Sequence, residues 1–129
     1  MEIDEISSAV VGEAIRIHRE LGPGLLESVY EKALKAGLTR RGLRVENQVP
    51  VPICYDGMVI DAAFRLDLLV EERLIVEVKA VEELTRLHAR QVLTYLRLME
   101  QPVGLLLNFS SLTMKEGIRR LVNNYRPGD

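Results

Sequence analysis

The stretch RLDLLVEERLIVEVKA, residues 65–80, decides the fold. Apolar residues alternate with others on both sides of a charged centre, the pattern of two half-buried strands joined in a hairpin. In the first arm Leu66, Leu68 and Val70 take one face, and Arg65, Asp67 and Leu69 the other. In the second, Leu74, Val76 and Val78 lie opposite Ile75, Glu77 and Lys79. A slip of one residue would expose a whole apolar set, so the core faces must coincide. That pairs Val70 with Leu74, Leu68 with Val76 and Leu66 with Val78, through a three-residue connection Glu71-Glu72-Arg73 or a bulge. Asp67 then lies across from Glu77, with Lys79 on the same face.

Opposed strand positions hold their Cβ atoms about 5 Å apart. Two carboxylates that close repel unless a cation lies between them or one takes a proton. Two readings follow. On an exposed face, Glu77 and Lys79 form an ordinary solvated pair. Alternatively, Asp67 and Glu77 hold Mg²⁺, which one or two carboxylates usually bind with waters and substrate phosphate oxygens. The Val78 carbonyl is then a further ligand, and Lys79 reaches an attacking water or the phosphate. Phosphodiester hydrolysis is the chemistry that suits this second arrangement.

Outward from the hairpin, VPICY and MVIDA meet at Asp56-Gly57, a strong short-turn signal. Pro50 and Pro52 put the earlier strand at a sheet edge or break it. Before it, helical spacing runs over about 4–21 (Ile6, Val10, Ile17, Leu21) and 25–41 (Leu26, Val29, Tyr30, Ala33, Leu34, Leu38), interrupted by GPG at 22–24. After it comes a helix over 84–100, then VGLLLNF as a buried strand, then a closing helix over 113–124. The order ααβββαβα predicts an α/β sandwich with a mixed central sheet. On the 84–100 helix, Leu84, Leu87, His88, Val92, Leu98 and Met99 define the buried arc, with Gln91 and Tyr95 at its middle. A buried glutamine needs partners, so Gln91 is either tied into a polar network or lines a cleft. Arg86, Arg90 and Arg97 fall on the opposite, solvated face. Glu27 sits in a first helical turn, where unpaired N–H groups favour a carboxylate whatever its function.

The 129 residues fit one domain, 1–129, large enough for its own core. The formal net charge of −2 is not that of a non-specific nucleic-acid coat, so nucleic-acid binding would rest on a local patch. Cys54 is the single cysteine, which leaves no Cys-based zinc or iron–sulfur site and no intrachain disulfide. The amino terminus is acidic and no apolar run approaches spanning length, so the expected setting is the cytoplasm, without membrane.

HRELGPGLLESVYEKAL closely resembles the signature of the GxxExxY protein family, with Gly24, Glu27 and Tyr30 at its named positions. The resemblance continues through YDG, the 65–80 stretch, HARQVLTYL and GLLLNF. That family looks like a compact branch of the PD-(D/E)XK nuclease superfamily. The resemblance implies a restriction-endonuclease-like α/β sandwich and a metal-dependent nuclease that hydrolyses phosphodiester bonds in DNA, with water at Mg²⁺ or Mn²⁺ as nucleophile. It implies catalytic roles for Glu27, Asp67, Glu77 and Lys79. Asp67, Glu77 and the Val78 carbonyl would hold metal, and Glu27 would help through a water. Gln91 and Tyr95 resemble the Q-x-x-x-Y element that contacts substrate, with Tyr30 helping to shape the pocket. Leu66 stands where the superfamily's name has proline, and the cysteines that hold an iron–sulfur cluster in some Q-x-x-x-Y nucleases are missing. The alternative is a weak or inactive nuclease-fold module, serving as a nucleic-acid-binding or interaction subunit. A homodimer, or a place in a larger repair or defence complex, is compatible with either.

Overall fold

The computed structural model describes residues 1–128; the last position of the expected 1–129 span lies outside the described residues. Helices α1 (Ile3–Leu21) and α2 (Glu27–Arg40) come first, then strands β1 (Val45–Tyr55), β2 (Met58–Val70) and β3 (Leu74–Lys79). Helix α3 (Arg86–Met99) leads to β4 (Val103–Asn108), a 3₁₀ turn (Lys115–Gly117) and β5 (Ile118–Val122). The sheet runs β1-β2-β3-β4-β5, antiparallel except for β3 beside β4. A parallel neighbour requires a crossover, and α3 supplies it.

Two cores divide the sheet by face. Leu68, Val70, Leu74, Val76, Val78, Leu105 and Leu107 pack under α1 and α2 with Ile6, Val10, Tyr30 and Leu34. Val51, Leu66, Leu69, Ile75 and Leu106 pack under α3 with Val92, Tyr95 and Leu96. Gly104 lets α3 come close, since a Cβ there would lie 2.9 Å from Val92 Cγ1. No helix among the described residues is long and apolar enough to cross a membrane.

Three expectations are corrected. The closing helix over 113–124 is instead the 3₁₀ turn and β5. β4 is buried along its whole length, and without a partner on this side it would leave a row of unpaired backbone groups. Pairing with β5 outweighs the helical spacing of Ile118, Leu121 and Val122. The arc of α3 is also rotated: Val92, Tyr95 and Leu96 are buried, while Gln91 is exposed and Leu87 is 74% exposed. Third, Leu66 does not share a face with Leu68 and Val70 but packs in the other core.

That third difference shapes the molecule. The β1–β2 register is continuous through Asn47↔Leu68 and Val49↔Leu66, yet the intervening Gln48–Asp67 pair is missing. Val45 packs toward the first core and Val49 toward the second, so both strands turn over together at this step. The β2–β3 ladder holds Val70↔Leu74, Leu69↔Ile75 and Leu68↔Val76, and no Leu66↔Val78 pair is formed. β2 therefore parts from β3 at Asp67.

Candidate active site

The parting of β2 from β3 exposes backbone donors, and carboxylates satisfy them. The Asp67 N–H donates to Glu77 Oε2 at 2.8 Å, and the Val78 N–H donates to Asp67 Oδ2 at 2.8 Å. Each strand's acid thus accepts from the other strand's backbone. This reciprocal clasp replaces the ladder bonds that would have followed Leu68–Val76. The tight connection that sets up the register holds Glu71 and Glu72 at φ 54° and 57°, so left-handed residues without glycine close it.

Lys79 follows on the same strand face, and its neighbour across the parallel pair is Asn108. Asn108 is 2% exposed; its Oδ1 accepts from the Val81 N–H at 3.0 Å and its Nδ2 donates to the Val81 carbonyl at 2.9 Å. The chain leaving β3 is therefore fastened to the end of β4. The Lys79 ammonium takes part in none of the ion pairs among the described residues.

The GPG loop brings a third acid to this end of β3. Gly24 has φ +105°, a conformation that a side chain would strain. The Tyr30 hydroxyl donates to the Gly22 carbonyl at 2.6 Å and accepts from the Leu25 N–H at 3.1 Å, closing the loop on α2. Glu27 is thereby held as the first residue of α2, and its Oε2 accepts from the Ala80 N–H at 3.3 Å. Tyr30 departs from expectation. It is fully buried and stacked on Phe109 at 4.5 Å, so it builds the loop and does not line a pocket.

Two further polar side chains join the cluster, and neither stood out in the sequence. Glu31 lies one turn after Glu27, and Gln48 sits at φ 50° opposite Asp67. Gln48 Nε2 donates to Glu31 Oε1 at 2.9 Å, to Oε2 at 3.1 Å and to Asp67 Oδ1 at 3.4 Å. The one available signal was Glu27 and Glu31 at i,i+4, a like-charge spacing that costs a helix unless something stands between or beside them.

Burial dominates the electrostatics. It pushes the Glu77 carboxyl up to about 8, helped by the Asp67 charge and opposed by the Asp67 N–H and Lys79. Burial also raises Asp67, against the Val78 N–H and Lys79. Glu31 is raised by burial, with the charges of Asp67 and Glu27 adding to it. At neutral pH, then, a proton occupies the site on Glu77 unless a cation replaces it.

On the α3 side, Tyr95 is 7% exposed and stacks on Phe64 at 4.4 Å. Burial raises its hydroxyl pKa, and the charges of Glu77 and Asp67 raise it further. Tyr95 also lines a groove of about 530 Å³ between α3 and the outer β1–β2 hairpin, with Gln91, Arg90, Phe64, Leu87 and Leu98. Gln91 is thus the cleft-lining glutamine of the two alternatives. Arg90, expected on the solvated opposite face, lies in the same groove.

The donor set suits a hard divalent ion. The clasp engages Asp67 Oδ2 and Glu77 Oε2, leaving Glu77 Oε1 and the weakly contacted Asp67 Oδ1. A strand residue turns its N–H and C=O to the same side, so the Val78 carbonyl faces the same gap. Among the described residues no three His, Cys, Asp or Glu side chains are grouped to hold an ion by themselves. Two carboxylates, a carbonyl and the remainder from water or substrate is the way Mg²⁺ is ordinarily held.

Compared with known families, residues 4–121 match the model of the PD-(D/E)XK nuclease superfamily. No curated protein and no solved structure matches.

Proposed function

The chain belongs to the PD-(D/E)XK nuclease superfamily, and from that membership we propose that it is a Mg²⁺- or Mn²⁺-dependent nuclease acting on DNA. Within the superfamily, Gly24, Glu27 and Tyr30 support a place in the GxxExxY branch. The observation that carries the catalytic reading is the Asp67–Glu77 clasp, with Lys79 beside it at the point where β2 leaves β3.

Asp67, Glu77 and the Val78 carbonyl would hold the ion, whose chemistry is to neutralise phosphate charge and acidify water. Asp67 and Glu77 are fixed by backbone N–H groups, so little reorganisation accompanies loading. Lys79 donates to the attacking water or to a phosphate oxygen as negative charge develops there. Glu27, exposed at the start of α2, accepts from a water at the lip of the site. Tyr95 and Gln91 meet the substrate from the groove that both line.

The test incubates purified protein with linear and branched DNA and RNA, with Mg²⁺, Mn²⁺ or EDTA, beside Lys79→Ala. Metal-dependent cleavage of DNA that falls by at least about 100-fold in the variant, with its circular dichroism unchanged, is expected. Equal cleavage by Lys79→Ala, or none with any metal, would refute the catalytic assignment.

A further inference from the structure

We infer that Gln48 is a positioning residue for Asp67, acting through an amide that it shares with Glu31; the inference rests on the metal-site reading above. Gln48 adopts φ 50°, a left-handed backbone that a glutamine seldom takes. It does so where the β1–β2 register skips a pair between Asn47↔Leu68 and Val49↔Leu66, a step separate from the register shift between Val51 and Ile53. Releasing Gln48 and Asp67 from the ladder frees both to meet through their side chains.

The amide nitrogen has two hydrogens and two anionic neighbours. Glu31 takes one at 2.9 and 3.1 Å, and Asp67 Oδ1 takes the other at 3.4 Å. Both acceptors are carboxylates, so the NH₂ end must face them, and the orientation of the amide follows. Asp67 is then held from two strands, by the Val78 N–H on Oδ2 and by Gln48 on Oδ1. Glu31 anchors the amide from α2, so three elements fix the plane of one carboxylate. Glutamate in place of Gln48 could not bridge the pair, and a shorter amide could not span it.

The expected effect is on metal affinity, because outer partners of ligating groups typically alter it 10- to 100-fold. Mn²⁺ binding is read from the loss of the free-ion electron paramagnetic resonance signal, so no turnover is needed. Gln48→Gly keeps the left-handed backbone and removes the amide; Gln48→Asn also tolerates that backbone but is one methylene short. Both should bind Mn²⁺ about 10- to 100-fold more weakly than wild type, with unchanged circular dichroism. Glu31→Gln combined with Gln48→Gly should weaken binding by less than the product of the two single effects, since both act through one bridge. Wild-type affinity in both Gln48 variants, or independent effects in the double variant, would overturn the shared-amide role alone. A folded wild-type protein that binds no Mn²⁺ would overturn the metal-site reading, and this inference with it.

Discussion

Glu77 concentrates the chemistry in one side chain. Its folded carboxyl titrates at about 8, against an ordinary value of 4.5, because burial and the Asp67 charge disfavour ionisation. A raised folded value means that the native state holds the proton more tightly than the unfolded chain. The corresponding stability is complete below about pH 4.5 and is lost as pH rises through about 8. Glu77→Gln keeps the shape, can still accept from the Asp67 N–H, and cannot ionise. In metal-free protein the variant should therefore gain on wild type between pH 5 and pH 9, by at most on the order of 5 kcal/mol. Urea unfolding across that range measures it; a difference that does not change with pH would disprove the assignment. Asp67, Glu77 and Lys79 were legible in the sequence because alternation along a strand is a local property. Glu31 and Gln48 were not, since glutamine at a left-handed position obeys no turn rule and its partners come from other elements.

Among the elements, the GPG loop and α2 show how a short motif becomes geometry. Gly24 permits the turn, Tyr30 locks it with two backbone hydrogen bonds, and Glu27 is thereby placed against Ala80. Tyr30→Phe keeps the stacking on Phe109 but leaves the Gly22 carbonyl and Leu25 N–H without that partner. It should lower stability by about 1–3 kcal/mol and speed proteolysis within 22–26. Thermal unfolding and limited digestion measure the two effects, and an unchanged digestion pattern would argue against the lock. The hairpin pairs Leu68–Val76 and Val70–Leu74 were legible, because apolar faces must meet. The reversal of Leu66 was not, for it needs two neighbouring strands to turn over at the same step. β5 escaped for a similar reason: the spacing of Ile118, Leu121 and Val122 suits a helix, and only the open side of β4 selects a strand.

Across the whole molecule, an ion held as proposed would link binding to folding. Ion binding that is confined to the native state should stabilise the protein, by about 2.7 kcal/mol at a free concentration 100 times the dissociation constant. Adding Mn²⁺ should raise the melting temperature, EDTA should reverse the rise, and Asp67→Asn should abolish it. Because Glu77 is largely protonated near pH 7, loading should also release a proton. Calorimetry in buffers of different ionisation enthalpy counts that proton; none released at pH 7 would contradict the raised Glu77 value. The overall charge of −2 gives no general attraction for nucleic acid, whereas the groove is lined by Arg90 and by no acid.

By itself the sequence determined the helical and strand periods as far as β4 and the inner hairpin pairs Val70–Leu74 and Leu68–Val76. These depend on residues close in the chain and on which face must be dry. Only the tertiary structure decided that the hairpin turns over at Gln48 and Asp67, that the two acids clasp each other's backbone, and that β5 closes the sheet. Each of these depends on backbone groups of one strand left unpaired until another element, distant in sequence, arrives to satisfy them.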